Sequence, residues 1–365
     1  MKKLVYISPV PWDSFAQRPQ KFVEWFKKKY EGEVLWINPY ATRLPNFGDI
    51  KKFHNSSHRP QAEKKDRIKI INTLSAPIEP VPYLNKINFI LWRKAFSDVK
   101  LFAGNGDCTL VVGKPSLLAL QLISLIPWKT TIYDAMDDFP AFYHGLARIS
   151  MARNEMKLVQ AVDKLLVSST HLFDRWHLHH NDVSLIPNGL DIDASLQRKN
   201  IKSVKEKPIL GYIGTIGDWF DWELVITLAR IVPLFTIRII GPVHKLPPET
   251  LPHNIEILPP CDHKNAMLEM SKFDVGLIPF LKNELTDSVD PIKYYEYRSF
   301  SIPILSTNFG EMKYRRNAEG VHLIDDIDNA LIAIQSAIAK SKNTNIDTEF
   351  LNLNSWDARF NHLKL

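Results

Sequence analysis

Residues 275–306 read VGLIPFLKNELTDSVDPIKYYEYRSFSIPILS, and this stretch decides the fold of the chain. The apolar run Val275–Ile278 predicts a buried strand, and a second run at 304–306 predicts another. Between them, residues 291–300 have the pattern of a helix that begins at a proline. A strand, a helix and a further strand in succession are typical of a parallel sheet covered by helices.

The same alternation continues in both directions along the chain. In the first half, strands are predicted at 4–7, 34–37, 68–71, 110–112, 131–133, 165–167 and 183–186. In the second half, they are predicted at 209–213, 236–240, 255–258, 275–278, 304–306 and 321–323. We therefore expect an α/β fold of two Rossmann-like, doubly wound parallel-sheet domains that face each other across a cleft.

The boundaries of these domains follow from changes in composition. The lysine-rich, polar stretch 191–208 ends at a proline and lacks apolar periodicity, which is typical of a linker. We expect one domain over residues 1–190, the second over 209–342, and a helical tail over 343–365. Residues 45–66 are predicted to form a mobile excursion of the first domain.

Composition narrows the classes of function. With 365 residues and 45% hydrophobic residues, the chain is long enough for two cores, and its two cysteines exclude a disulfide framework. No run of residues is long and apolar enough to span a bilayer, so we expect a cytoplasmic protein. The net charge of +6 favours anionic partners, but no concentrated basic helix indicates nucleic acid. The lysines at 27–29 suit either a helix C-terminus or an anionic membrane.

The helix predicted to begin at Pro291 is a candidate phosphate site. Asp290 could cap it, and Lys293 and Glu296 lie three residues apart, on one face. The exposed N–H groups of a helix start attract phosphate, Lys293 adds positive charge, and Glu296 could accept hydrogen bonds from two ribose hydroxyls. A nucleoside diphosphate carries its negative phosphates beside a ribose with two hydroxyls, which matches this order of helix start, Lys293 and Glu296. The alternative is an ordinary capped helix with a surface ion pair.

Three further segments follow predicted strands, where ligands of open parallel sheets bind. The glycine-rich turn 211–217 allows close approach of a ligand, or is simply a tight turn capped by Asp218. The carboxylates of Asp134, Asp137 and Asp138 could supply a general base, bind an acceptor hydroxyl or hold a divalent metal, or only cap a helix. Arg18 could meet an anionic substrate group or be structural.

Two other segments carry weaker signals. The Asn188-Gly189 pair after a strand indicates either a site or a turn that leads into the linker. The histidines at 177, 179 and 180 lack further ligands, so a zinc site is not expected. The sequence contains no nucleophile motif of the kind that would indicate a hydrolase.

Taken together, the chain resembles the two-lobed GT-B glycosyltransferases, in particular the bacterial branch that builds capsules, O-antigens and other envelope polysaccharides. The segments that carry the resemblance are Trp12 with 17–19, 133–138, 168–169, 186–191, 211–214, 274–280, 283–286, 291–297 and 355–356.

The resemblance implies a function and a set of site residues. It implies transfer of a sugar from a UDP- or GDP-sugar to a lipid-linked or polysaccharide acceptor, without a metal or other cofactor, at the inner face of the cell membrane. The donor would be bound by Gly214, Thr215, Glu284, Asp287, Pro291, Lys293, Tyr295 and Glu296. Trp12, Arg18 and Asp134 would contact the acceptor, and Asp137 or Asp138 would act as the base. Ser355-Trp356 fits a C-terminal helix that crosses back to the first domain.

Two alternatives remain open at this stage. A sugar-nucleotide epimerase of the same shape would turn over the donor with no acceptor present. A noncatalytic assembly protein is compatible with residues 299–303, where Ser-Phe-Ser-Ile-Pro replaces the Ala-Gly-Lys-Pro pattern of the family. Ser288 stands where many retaining members carry an acid, so the stereochemical outcome is also open.

Overall fold

The computed structural model describes most of the chain and divides it into two compact units. The described residues are 1–42, 68–81, 83–192, 207–248, 250–340 and 347–365. The excursion predicted at 45–66 and residues 193–206 of the predicted linker lie outside them. Unit 1 comprises residues 1–186 and 362–365, and unit 2 comprises residues 187–361.

Unit 1 contains a seven-stranded parallel sheet of order β3-β2-β1-β4-β5-β6-β7. Its strands are β1 Lys3–Ile7, β2 Glu33–Ile37, β3 Ile68–Ile71, β4 Cys108–Val112, β5 Thr130–Ala135, β6 Lys164–Val167 and β7 Val183–Leu185. The order in which the strands are added reverses between β1 and β4, and doubly wound sheets bind ligands at such a switch point.

Unit 2 contains a six-stranded parallel sheet of order β10-β9-β8-β11-β12-β13. Its strands are β8 Ile209–Ile213, β9 Thr236–Ile240, β10 Ile255–Leu258, β11 Val275–Ile278, β12 Ile304–Thr307 and β13 Val321–Ile324. Here the switch point lies between β8 and β11.

Helices connect these strands in both units. In unit 1 they are α1 Arg18–Tyr30, α2 Ile87–Leu91, α3 Arg93–Ala103, α4 Leu117–Leu125, α5 Gly145–Ala161 and α6 Thr170–Trp176. In unit 2 they are α7 Trp222–Ile231, α8 His263–Met270, α9 Glu284–Asp287, α10 Ile292–Ser299, α11 Ala330–Lys340, α12 Thr348–Asn354 and α13 Trp356–Asn361. Short 3-10 helices occur at Leu84–Lys86, Phe139–Phe142 and Gly310–Arg315.

The predicted fold class is confirmed, and every predicted strand has a counterpart. The central strands β4, β8 and β11 are buried at each of their positions, because helices cover both faces of a parallel sheet. The cap expected at Asp218 is corrected: α7 begins at Trp222, and the Asp221 carboxylate accepts the Leu224 N–H at 2.9 Å.

The division between the units falls after Ile186, four residues before the boundary at 190 that composition indicates. The reason is hydrogen bonding. The Asn188 N–H donates to Asp290 and the Leu190 N–H donates to the Asn354 carbonyl, so both residues belong to unit 2. At the other end of the chain, the Lys2 amine donates to the Leu365 carbonyl and thereby ties the last residues to unit 1.

Candidate functional site

The first candidate acceptor residues, Arg18 and Asp134, form a buried ion pair in unit 1. Arg18 Nε lies 2.8 Å from Asp134 Oδ1, and the two side chains are 2% and 0% exposed. Tyr6 donates its hydroxyl to the same carboxylate at 3.1 Å, and Arg18 Nη1 donates to the Ile186 carbonyl at 2.7 Å. Both side chains join α1 to the strands, and their contact with the acceptor stays a prediction.

Asp138, one of the two candidate bases, is also held in an ion pair. Arg175 on α6 places Nη1 2.7 Å from Asp138 Oδ1, and its Nη2 lies 3.3 Å from Glu155 Oε2. Glu155 is fully buried, and it accepts the Tyr133 hydroxyl at 2.7 Å. The pairing occupies Asp138 and does not favour it as a base. Sequence patterns missed Arg175 and Glu155 because helix spacing does not show what faces a neighbouring strand end.

Asp137 lies between these two paired carboxylates in sequence and is partly buried. Burial raises the pKa of Asp137 to about 7; the Arg18 charge opposes the shift, and the negative charges of Asp138 and Asp134 add to it. A carboxyl group with a pKa near neutral pH is well suited to accept a proton in catalysis. Asp137 is therefore the better candidate base of the two.

Trp12 follows β1 and lies at the same edge of the sheet as the acids. Its ring packs edge-on against Trp36 at 4.9 Å between centroids, and the backbone N–H of Trp12 donates to Asn38 Oδ1 at 3.0 Å. Asn38 also donates to Asn72 Oδ1 at 2.7 Å, so residues that follow β1, β2 and β3 are joined. Trp12 stays a prediction for acceptor contact, with its ring only partly buried.

In unit 2, the turn after β9 approaches the turn after β8 so closely that position 241 needs glycine. A Cβ on Gly241 would lie 2.1 Å from the Gly214 carbonyl oxygen, and the φ angle of Gly241 is +146°. The Gly214 N–H donates to Ile240, and the Tyr212 hydroxyl donates to the Thr215 carbonyl at 2.9 Å. The backbone at Gly214 and Thr215 is thus held in one conformation at the carboxyl end of β8.

Helix α9 follows β11 and carries two predicted donor residues. Asn283 caps it, and the Asn283 and Thr286 side chains exchange hydrogen bonds with each other's backbone in a capping box. Thr286 is buried, whereas Glu284 is exposed and Asp287 is partly exposed. The capped turn therefore presents Glu284 and Asp287 outward from a fixed backbone.

Helix α10 carries the predicted phosphate and ribose residues on its accessible side. Pro291 is buried at the N-cap, in extended conformation with φ −74° and ψ 118°. Lys293 Nζ lies 2.5 Å from Glu296 Oε2, and both side chains are partly exposed. The structure thus brings the cation and the carboxylate together within reach of the helix start.

Asp290 does not cap this helix, which corrects the expectation from its position. Its carboxylate instead accepts from the Asn188 N–H at 2.7 Å, from the Tyr295 hydroxyl at 3.0 Å and from Arg315, at 2.5 Å. Tyr295 is consequently buried with its hydroxyl turned inward, and its contact with the donor stays a prediction. Arg315 was missed because it lies twenty residues further along the chain, on a 3-10 helix.

Within the described ranges, the structure offers neither a metal-ion site of clustered side chains nor a membrane-spanning helix. Among those residues, no group of three or more histidine, cysteine, aspartate or glutamate side chains is arranged to hold a metal ion. Within the same ranges, no helix has both the length and the apolarity needed to cross a membrane.

Comparison with solved structures identifies the architecture. TarM superposes with a TM-score of 0.66 at 8% identity, over 99% of this chain and 97% of TarM. The UDP-forming α,α-trehalose-phosphate synthase of Burkholderia vietnamiensis superposes with a TM-score of 0.63 at 10% identity, over 99% of this chain and 97% of the synthase. The two parallel-sheet units are those of the GT-B fold, as expected from the resemblance.

A relative in sequence narrows the class. A Bacillus subtilis (strain 168) protein, provisionally named teichuronic acid biosynthesis glycosyltransferase TuaH, is 23% identical in an alignment 360 residues long; 88% of this chain and 86% of TuaH are covered. No family model matches the chain. The chain has the GT-B fold, and the expected resemblance to glycosyltransferases of the cell-surface polysaccharide group is confirmed.

Proposed function

We propose that this protein is a glycosyltransferase that moves a sugar from a UDP- or GDP-sugar to a lipid-linked or polysaccharide acceptor in envelope polysaccharide synthesis. The observation that carries the donor part is the Lys293–Glu296 pair on the first turns of α10. A diphosphate at the helix start would meet backbone N–H groups and the ammonium of Lys293, and Glu296 would then accept from the ribose hydroxyls. The UDP-forming synthase and the name of TuaH support the donor and acceptor classes.

The residues suggest how an inverting transfer would proceed. The acceptor oxygen forms a bond to the anomeric carbon as the bond from that carbon to the diphosphate oxygen breaks. Asp137 takes the proton of the acceptor hydroxyl, and the leaving diphosphate keeps the bonding electron pair. Lys293 and the start of α10 stabilise the charge that develops on the leaving group. Because these groups neutralise the diphosphate, the proposal needs no metal.

Titration calorimetry with UDP, GDP and their sugars tests the donor site directly. Glu296→Ala should weaken nucleotide binding by about 1 to 3 kcal/mol, the scale for hydrogen bonds to a charged group. Lys293→Ala should weaken UDP or GDP binding but leave nucleoside binding, because it removes a charge that only the phosphates feel. Glu269→Ala is the matched control, since Glu269 also pairs with a lysine three residues later, Lys272, on the surface of unit 2.

The outcomes separate the proposal from its alternatives. Unchanged UDP and GDP affinity in Glu296→Ala and Lys293→Ala would remove α10 from the donor site. Conversion of the donor to an epimer with no acceptor present would assign an epimerase. Absence of binding to every nucleotide sugar, in folded protein, would favour a noncatalytic assembly role.

A further inference from the structure

Trp219 lies in the turn between β8 and α7 and differs in exposure from the aromatic residues around it. Tyr212, Phe220, Trp222 and Phe280 are each exposed by 9% or less, whereas Trp219 is partly exposed. The rings form one cluster, in which the centroids of Trp219 and Phe280 lie 6.4 Å apart and those of Phe220 and Trp222 lie 4.8 Å apart. Trp219 therefore brings the apolar surface of this cluster to solvent.

The position of the Trp219 ring is fixed by its neighbours. A Cβ on Gly217 would lie 2.7 Å from Cη2 of Trp219, so the six-membered ring of the indole packs on the Gly217 backbone. Burial raises the pKa of the Tyr212 hydroxyl, and a hydrogen bond from the Trp219 side chain opposes this rise. The same hydroxyl donates to the Thr215 carbonyl at 2.9 Å. A ring held in this way loses little conformational freedom when a ligand binds to it.

The turn that carries Trp219 is hydrogen-bonded to the segment that follows β11. The Leu281 N–H donates to the Trp219 carbonyl at 2.8 Å, and the Asp221 N–H donates to the Pro279 carbonyl at 2.9 Å. An antiparallel bridge lies between these two contacts. The two segments therefore form one surface at the switch point of unit 2, where β8 and β11 end and where sheets of this kind bind ligands.

The order of groups in a nucleotide sugar directs its sugar toward this surface. In the proposed function, Glu296 binds the ribose and the start of α10, at Pro291, receives the diphosphate. The sugar is attached to the end of the diphosphate opposite the ribose, so it extends from the helix start away from Glu296. The segment after β11 leads through α9 into that helix start, and it is the segment to which the turn of Trp219 is bonded.

Asp218, the residue before Trp219, favours a sugar over a phosphate at this place. Its side chain is exposed. A carboxylate repels phosphate but accepts hydrogen bonds from hydroxyl groups. An aromatic ring contacts the apolar C–H groups of a sugar, and the sugar hydroxyls remain available to polar groups beside the ring. A ring next to a carboxylate thus has the chemistry of a sugar-binding surface.

We infer that Trp219 forms the surface on which the sugar of the nucleotide-sugar donor packs. The inference rests on the proposed function, because it takes the diphosphate to lie at the start of α10. It gives the glycine-rich turn 211–217 and the two residues after it a role in binding the sugar, whereas Lys293 and Glu296 bind the nucleotide. Loss of the Trp219 ring should consequently affect binding of the nucleotide sugar and not of the nucleotide.

Titration calorimetry with the full chain tests this distinction. The probes are UDP, GDP, UDP-glucose, UDP-N-acetylglucosamine and GDP-mannose, and the nucleotide sugar that binds the wild type most tightly is then used with the variants. Trp219→Ala should weaken binding of this nucleotide sugar by about three- to tenfold and leave the affinity for its free nucleotide unchanged. Trp219→Phe should restore most of the affinity, because it keeps an aromatic ring.

Two further variants separate contact with the sugar from a structural role. Gly217→Ala should also weaken binding of the nucleotide sugar, since the three heavy atoms nearest to the added Cβ all belong to the Trp219 ring, which must move. Trp222→Phe is the matched control, because Trp222 is 3% exposed in the same cluster and its indole N–H donates to the Lys245 carbonyl at 2.9 Å. Trp222→Phe should lower the thermal midpoint and leave both affinities unchanged. Circular dichroism checks that each variant is folded.

The possible results distinguish this inference from the proposed function. Unchanged binding of the nucleotide sugar in Trp219→Ala, or an equal loss of affinity for the nucleotide and the nucleotide sugar, would overturn the contact with the sugar. An equal loss in Trp222→Phe and Trp219→Ala would also overturn it. In these cases the wild type still binds its donor, so the proposed function stands. Wild-type protein that is folded and binds none of the five probes would instead contradict the proposed function, and the sugar contact with it.

Discussion

Arg175 Nη1 lies 2.7 Å from Oδ1 of Asp138. This contact distinguishes Asp138 from the adjacent Asp137, although the sequence alone gives the two aspartates the same chemistry. With Asp134 paired to Arg18 and Asp138 paired to Arg175, the two outer carboxylates of the block 134–138 are neutralised by arginines from α1 and α6. The middle carboxylate, Asp137, keeps a pKa of about 7.

Because Asp137 is the carboxylate proposed as the base, the rate of sugar transfer should depend on pH. Because a base must be deprotonated, kcat/KM should rise as the pH increases through about 7 and then level off. Asp137→Asn should abolish this rise and lower transfer by about a hundredfold or more while nucleotide binding persists. Asp138→Asn should keep activity and move the rise to lower pH, since it removes a negative charge that raises the pKa of Asp137. A pH profile of transfer measures both.

The reverse result is equally informative. If Asp138→Asn abolishes transfer and Asp137→Asn only moves the profile, the assignment of the base is wrong, and the Arg175 pair would have to open during the reaction.

The close approach of Gly241 to Gly214 predicts a specific loss of stability. Gly241→Ala places a Cβ 2.1 Å from the Gly214 carbonyl oxygen, so the backbone that leads into Thr215 must move. We expect Gly241→Ala to destabilise the protein by more than the roughly 1 to 3 kcal/mol typical of a strained φ angle. Nucleotide affinity should fall with it, by about tenfold. Thermal denaturation and calorimetry provide the two measurements.

Gly320→Ala is the control for this experiment. Gly320 also has a positive φ angle, +70°, but the nearest heavy atom to an added Cβ would lie 3.8 Å away. Gly320→Ala should show the loss of stability that a positive φ angle causes without a steric clash, and it should leave nucleotide affinity unchanged. Equal effects of the two substitutions on affinity would mean that the Gly214 turn does not contribute to the donor site.

A buried carboxyl group, Glu79, predicts how stability depends on pH. Burial raises the pKa of Glu79 to about 7, against the opposing effects of the Leu117 N–H, Lys114 and Tyr40. The folded state therefore holds a proton that the unfolded state releases near its ordinary pKa of about 4.3. Between those values the folded state binds more protons, so the free energy of unfolding falls as the pH rises toward 7.

Glu79→Gln removes this contribution while it keeps an oxygen that can accept the Leu117 N–H. Relative to the wild type, the variant should gain stability as the pH rises from about 5 to 8, by on the order of 1 to 3 kcal/mol. The thermal midpoint across this range measures the gain. Glu24→Gln, at an exposed carboxylate, should show no such trend. A constant difference between Glu79→Gln and wild type would contradict a raised pKa at Glu79.

The pattern of apolar and polar residues along the sequence was sufficient to predict the two sheets and the resemblance to GT-B glycosyltransferases. Strands such as β8 and β11 are continuous apolar runs because both faces of a parallel sheet are buried, and such runs stand out against polar turns. The helix at Pro291 was visible for the same kind of reason, since a proline start and a three-residue spacing between Lys293 and Glu296 are local properties.

Tertiary structure decided which polar side chains remain available for chemistry. Asp134, Asp138 and Tyr295 were reasonable candidates from their positions after strands or on a helix, yet each meets a partner distant in sequence: Arg18, Arg175 and Arg315. A buried charge is stable only when it is paired, and which residue pairs it depends on how the chain is brought together. Composition and spacing do not carry that information, and so the choice of Asp137 over its neighbours required the fold.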